Sequence, residues 1–415
     1  MTSSSDMTTP SSSPFQFFGK GLAENPFPIL AQMRTIGPIV PVPLPWAASQ
    51  QAWLITRLPE AVYVLKDKRF TVDSTKLPSN TFSEMRRMRE SSETPGLFGQ
   101  SMISVDEPDH KRLRGFVSKV FTPKYIEGLR SHIQQIADDL LDRVQAQGQM
   151  DLVHDYGYPL PINVISDMLG VPLDKRTSMR QWSEALAGGS PEKLDTGRRQ
   201  LVQAFSNYIV VLVAEKRRHP QQDLISQLIH LEEEGDHLSE AELISMVGLL
   251  IFAGHETTSN LIGIGTLMLL DHPDQLEKLK ADLTLVPSAV EELLRFNGPV
   301  LTPAPRFATE DVELGGQTIH RGDMLITGLA SANRDESEFT NPDDLDIARQ
   351  LNRHIAFGQG MHICLGAPLA RLEGEIAFTT LLKRLPNLRL NCTRETVEWR
   401  GGFSLRGLVS LPVAF

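Results

Sequence analysis

Along most of the chain the apolar positions recur at helical spacing, and the longest such stretch runs from Ser239 to His272. Ser239-Glu240-Ala241-Glu242 fits a capping box, in which a serine and a glutamate three residues later satisfy each other's free amides. His272-Pro273 closes the segment, since the residue before a proline avoids helix. About 33 residues of helix reach roughly 50 Å, enough to cross a whole protein. Ile244 to Leu270 is largely apolar, so a membrane span has to be weighed. The run His255-Glu256-Thr257-Thr258-Ser259-Asn260 lies in its middle, however, and an acid at a bilayer centre is costly. A buried helix crossing a core fits better. A second helix follows Cys364, with Leu365, Leu369, Leu372 and Ile376 at helical spacing and Pro368 in the first turn, where no amide partner is lost. Nearer the N-terminus, Gln51 to Thr56 has strand character and Pro59 to Asp67 the pattern of an amphipathic helix. Between 125 and 220 several helices are expected, broken at Gly170-Val171-Pro172, Gly188-Gly189-Ser190-Pro191 and His219-Pro220. Residues 81–104 show no period, and a long irregular loop inside a compact domain is usually functional or mobile.

Composition narrows the function classes. The chain is 41% hydrophobic and 22% charged, ample for a large core, and its net charge of −10 argues against a general nucleic-acid surface. Two cysteines cannot build a disulfide framework, and a reducing cytoplasm is the natural compartment. Met1 to Pro14 is Ser/Thr-rich, with neither a basic nor an apolar region of a leader, and reads as a disordered tail. There is no internal repeat and no nucleotide fingerprint.

The chemistry concentrates in Phe357-Gly358-Gln359-Gly360-Met361-His362-Ile363-Cys364-Leu365-Gly366. Cys364 is placed at the mouth of the helix that follows, where free amides and the dipole favour a thiolate. A lone loop cysteine is also commonly a small buried hydrophobe. The whole stretch resembles the haem-binding signature of the cytochromes P450, Phe-x-x-Gly-x-(His/Arg)-x-Cys-x-Gly. Phe357, Gly360, His362, Cys364 and Gly366 fill it without departure. Ala253-Gly254-His255-Glu256-Thr257-Thr258 resembles the oxygen-activation motif of the same family; taken alone it also fits a core helix with a polar kink. Glu292 and Arg295 match the family's Glu-x-x-Arg, with Arg349 in the meander before the loop as the usual third member. An acid and a base at that spacing are otherwise a minor surface pair.

The resemblance covers the chain from about residue 20 onward. It implies a mainly α fold of the P450 type in one domain, residues 15–415, with small β-sheets and a long central helix crossing a haem. The cofactor would be haem b, with Cys364 as its axial metal ligand, a donor thiolate that promotes O–O cleavage. His110 and Arg114, four apart on one helix face, would grip a propionate, together with Arg306, His354 and the signature's His362. Phe357, Gly358 and Gly366 would flank the ring; Ala253 and Gly254 would leave room above it. Glu256 would relay protons and Thr257 would hydrogen-bond the carbonyl four residues back or a water. Leu97, Phe98, Met102, Leu249, Phe252, Ala253, Val300, Leu301, Thr302, Phe403, Ser404 and Leu405 would line the substrate pocket, and Glu292, Arg295 and Arg349 would form a structural triad. The implied activity is a monooxygenase that places one atom of O2 into a lipophilic steroid, terpenoid or polyketide/macrolide. Electrons would come from a separate ferredoxin and ferredoxin reductase using NAD(P)H. The enzyme would be a cytoplasmic monomer with no nucleic-acid or membrane partner. Lys111, Arg112, Lys119 and Arg353 are the candidate docking cations. A peroxygenase using H2O2, a non-catalytic haem carrier and a zinc site remain as alternatives, although His-x7-His-x-Cys is not a standard zinc spacing.

Overall fold

A computed structural model describes residues 20–44, 47–77, 101–187, 196–233, 238–350, 352–402 and 404–415. Leu97, Phe98, Phe403, the Gly188–Pro191 break and Met1 to Pro14 lie outside the described residues. The helices that position the site are α1 (Leu58–Lys66), α2 (Asp109–Val120), α3 (Arg130–Val144), α4 (Pro159–Leu169), α5 (Thr196–Arg218), α6 (Glu240–Asp271), α7 (Val286–Asn297) and α8 (Ala367–Arg384).

Helix α6 is the axis of the molecule. Its capping box is formed: the Glu242 amide donates to Ser239 Oγ at 3.2 Å, and the Ser239 amide to Glu242 Oε2 at 2.8 Å. Residues around its whole circumference are buried, which explains why it is apolar on nearly every side. It packs on α4, α7, α8 and the strand Arg406–Leu408. Close approach is bought by small residues: a Cβ at Gly265 would lie 2.6 Å from the Phe378 ring of α8. Among the described residues no helix is long and apolar enough to cross a membrane.

The main sheet has five strands, β1 (Ile39–Leu44), β2 (Ala47–Ile55), β3 (Phe70–Thr71), β4 (Arg306–Ala308) and β5 (Met324–Thr327), in the order β1-β2-β5-β4-β3. The Gln51–Thr56 expectation falls almost wholly within β2, and the Pro59–Asp67 expectation matches α1 within one residue at each end. All pairs are antiparallel except β2 with β5, where Ala52 aligns with Met324. One large apolar core surrounds α6, and two smaller clusters lie against the sheet. The hairpin Trp399–Gly401 with Arg406–Leu408 packs on α6 from another side.

Candidate active site

The cysteine loop is closed by its own backbone. The Cys364 amide donates to the Phe357 carbonyl at 2.9 Å, Gly358 to Ile355 at 2.8 Å and Ile363 to Gly360 at 3.2 Å. Gly360 has φ 74°, and a Cβ there would lie 2.3 Å from the Leu65 carbonyl oxygen at the end of α1, so only glycine fits. Gly366 caps α8 and Pro368 lies in its first turn. Protein surrounds Cys364, yet its side chain stays accessible because it opens into a cavity. Burial pushes its thiol up; the Gly366 amide, the Arg114 guanidinium and the Ala367 amide act the other way.

That cavity, of about 320 Å³, lies between the loop, α6, α8, α2 and the start of β4, and most of its lining is apolar. Four basic side chains reach it: His110 and Arg114 from α2, Arg306 from β4 and His362 from the loop. The His110 and His362 rings are 4.3 Å apart. Arg114 donates to the carbonyls of Met361 at 3.2 Å and Ile363 at 2.7 Å. Arg306 is buried, with one long bond to the Phe70 carbonyl at 3.4 Å and no partner for Nε. Burial lowers all four, His110 to about 4. Asp106 faces this group, 3.6 Å from His362 Nε2, its carboxyl held well below the usual range despite burial by His362, Thr71 and Lys76. Buried bases with open donor positions fit the anionic carboxylates of a ligand.

A cysteine at a helix mouth, opening into an apolar cavity with a basic wall, is the setting in which family membership can be judged. The family model described as Cytochrome P450 matches residues 79–396. The chain belongs to the cytochrome P450 family. It is 44% identical over 401 residues to "Polyketide biosynthesis cytochrome P450 PksS" of Bacillus subtilis (strain 168), covering 96% of this chain and 98% of that one. It is 38% identical over 385 residues to "6-deoxyerythronolide B hydroxylase" of Saccharopolyspora erythraea, covering 92% and 94%. The crystal structure of myxobacterial cytochrome P450 CYP267B1 in complex with myristic acid matches with TM-score 0.89 and 40% identity, over 96% of this chain and 98% of that one. The protein is thus an oxidoreductase of the P450 monooxygenase family, a family that carries haem, and its mainly helical fold with small sheets is that of solved P450s.

The remaining expected residues divide. Met102, Leu249, Ala253, Gly254, Thr257, Val300, Phe357, Gly358 and Gly366 line the cavity. Thr257 Oγ1 donates to the Ala253 carbonyl at 3.1 Å, the bond four residues back. Gly254 has a packing duty as well, since a Cβ there would lie 2.9 Å from Ile165 of α4. Glu256 does not face the cavity. It is fully buried and turned toward the C-terminal hairpin, where Arg400 Nη1 lies 2.6 Å from Oε1 and Asn260 Nδ2 donates at 3.3 Å. Thr257, the next residue, lines the cavity, while Glu256 is turned away by the pairing with Arg400. Phe252 likewise lies outside the lining. Leu301 and Thr302 are engaged by Ser404, whose carbonyl accepts the Leu301 amide at 2.8 Å and whose hydroxyl donates to the Thr302 carbonyl at 2.9 Å. Leu405 forms a β-bridge with Val300. Of this group only Val300 lines the cavity; Leu301, Thr302, Ser404 and Leu405 do not.

His354 is a second correction. It does not reach the basic wall: Nε2 lies 3.1 Å from Glu291 Oε2, and Nδ1 accepts the Ala356 amide at 3.1 Å. Glu292, Arg295 and Arg349 come together, with Arg295 Nε and Nη2 on the two Glu292 oxygens at 2.7 and 2.8 Å and Arg349 Nε at 3.0 Å. Arg112 is held by Glu242 and Asp109. Among the described residues no group of three His, Cys, Asp or Glu side chains is placed to hold a metal ion, which leaves the zinc alternative without support.

Sequence reasoning missed Glu373, Ile165, Leu250, Leu294 and Phe121, all in the lining. Glu373 is fully buried on α8 with no charged partner, and burial pushes its carboxyl up to about 8, with only the Thr258 hydroxyl acting the other way. The signal was present: Glu373 is four residues after Leu369, on the apolar face of α8, where an acid has no ordinary reason to be.

Proposed function

We propose that this P450 is a monooxygenase of lipophilic, uncharged substrates of the polyketide or macrolide type, with haem b as its cofactor. The observation that carries the reading is Cys364 opening, from the mouth of α8, into the same apolar cavity that His110, Arg114, Arg306 and His362 reach. Those residues fit the group: Cys364, as thiolate, would hold its iron, and the donors on Arg306 and His362 would take its carboxylates. When bound, the haem supplies the activation of O2 that leaves one oxygen in the substrate and the other in water. The protein excludes water with its apolar lining and orients the substrate over Ala253 and Gly254. Thr257 holds a proton at Oγ1, shared in this conformation with the Ala253 carbonyl. Glu373, neutral at pH 7 because of its burial, holds another at the cavity wall. Glu256 lies outside this chain of groups for as long as Arg400 holds it.

The relatives' names support the substrate class: one is a polyketide-biosynthesis P450 and another a hydroxylase of 6-deoxyerythronolide B. Among the four cavity bases none stands apart from the wall as a separate clamp for a substrate carboxylate. We further infer a cytoplasmic enzyme reduced by a separate ferredoxin and its reductase. The test has two parts. Cys364→Ala should abolish the thiolate-type band in the reduced-CO difference spectrum without altering far-UV circular dichroism; a surviving band removes Cys364 as ligand. Spin-shift titration should then rank macrolactones above steroids and fatty acids, and a preference for fatty acids overturns the substrate class.

A further inference from the structure

Two glutamates stand side by side on α7, and they hold different things. Glu292 is fully buried and serves the meander. Glu291 points elsewhere. Arg371 of α8 grips it with two parallel bonds, Nε to Oε1 at 2.7 Å and Nη2 to Oε2 at 2.9 Å. His354 Nε2 approaches Oε2 at 3.1 Å. Since Nδ1 of the same ring accepts the Ala356 amide at 3.1 Å, the proton of neutral His354 is on Nε2 and is donated to Glu291.

Both partners then act on one residue. The Arg371 guanidinium lies over the Phe357 ring, 4.6 Å from its centroid, a stacking that stabilises both groups. The His354 ring is 6.2 Å from the same phenyl ring, tilted at 44°. Phe357 in turn presents the carbonyl that accepts the Cys364 amide. Glu291 itself does not line the cavity, while Ala356 and Phe357 do. Its carboxyl is held down at about 2 by His354 and Arg371 against the opposing effect of burial. It is therefore an anion at every working pH.

We propose that Glu291 is a positioning residue for the cysteine loop, acting through His354 on the Ala356 amide and through Arg371 on the Phe357 ring. The inference rests on the haem-thiolate reading above and adds to it the element that fixes the loop's entrance. Adjacent acids on one helix thus divide the labour: Glu292 fixes the meander and Glu291 the thiolate loop. Partners that touch a metal ligand typically change affinity by about 10–100-fold when removed, so for Glu291, which acts through His354 and Arg371, the low end of that range is expected.

The experiment uses the full chain purified with haem. Glu291→Ala and His354→Ala should each weaken haem retention by about tenfold and convert part of the reduced-CO spectrum from the thiolate-type band to the band of a displaced ligand. Glu291→Gln, which keeps an acceptor oxygen, should recover most of both. The double variant should be no worse than the worse single one, because the two residues act as a unit. A Glu291→Ala protein with a lower Tm but wild-type haem retention and band fraction overturns the proposal, as do additive single effects. Should Glu291→Ala fail to fold, Arg371→Lys keeps the charge but loses the parallel bonds and the stacking. Wild-type values for both readouts in Arg371→Lys and His354→Ala overturn it too. A band that persists in Cys364→Ala would instead refute the haem-thiolate reading itself, so the two failures are separable.

Discussion

The polar groups behind the cysteine loop and those in front of it are treated in opposite ways. Behind it, Glu292 collects Arg295, Arg349, Asn352 and the Asp346 amide, and Arg295 goes on to the carbonyls of Asn333, Pro342 and Asp344. In front, Arg306 Nε is buried without a hydrogen-bond partner, His362 Nε2 has only Asp106 at 3.6 Å, and the Glu373 carboxyl has only the Thr258 hydroxyl near it. Burying a polar group without a partner costs free energy, so a fold keeps such groups where something else is meant to meet them. The side that is satisfied but for Asn352 Oδ1 is scaffold; the sparsely partnered side is where a ligand's oxygens and protons belong.

The comparison is broken most severely on the scaffold side. Glu292→Ala leaves the buried Arg295 guanidinium without its carboxylate and removes that of the half-buried Arg349, and should cost about 3–5 kcal/mol, read as a shift in urea midpoint. A loss under about 1 kcal/mol would mean the network is not structural.

On the cavity side the sign is reversed. The Glu373 carboxyl is raised from an ordinary 4.5 to about 8 in the folded chain. The folded state therefore holds its proton longer than the unfolded state. Wild type is not penalised below about 4.5, loses stability relative to Glu373→Gln as pH rises toward about 8, and stays at a constant deficit above that. The deficit should grow by about 1.4 kcal/mol per pH unit within that window at most. Denaturation of both proteins across pH 4 to 9 checks it, and parallel curves would show that Glu373 is solvated.

A third variant sharpens the boundary between the two regions. Arg400→Leu leaves Glu256 buried beside Asn260 alone. Because Arg400 is partly exposed, the expected loss is about 2 kcal/mol rather than the full cost of a broken buried pair. Glu256→Gln in that background should recover most of it, and no recovery would show that the pair does not matter electrostatically. The smallest effect belongs to the surface: Arg112→Ala breaks a partly exposed pair with Glu242 and should cost no more than about 1 kcal/mol. A larger loss would make it part of the scaffold.

The same contrast marks where sequence reading worked and where it failed. Glu292, Arg295 and the α6 boundaries were legible because they rest on local rules of spacing and capping. Ser239 and His272 flank α6 as expected. His354 was misplaced, because spacing from the cysteine does not reveal Glu291, sixty-three residues earlier in the chain, as its partner. Glu256 was misdirected for a similar reason: Arg400, 144 positions away by their numbers, pairs with it. Ser404 and Leu405 were placed in the cavity, but of the paired segments 300–302 and 404–405 only Val300 lines it.

By itself the sequence determined the family signature, the long buried helix, the cysteine at the mouth of α8 and the basic residues His110, Arg114, Arg306 and His362. The helix and the place of the cysteine depend on residue type and short-range periodicity, which the covalent chain carries directly; the basic residues follow from the resemblance to the family. Only the tertiary structure decided which acid faces the cavity, Glu373 instead of Glu256, and which acid supports the loop. The direction of a buried charge is set by the partner that compensates it, and that partner is brought in by packing from a distant segment of the chain.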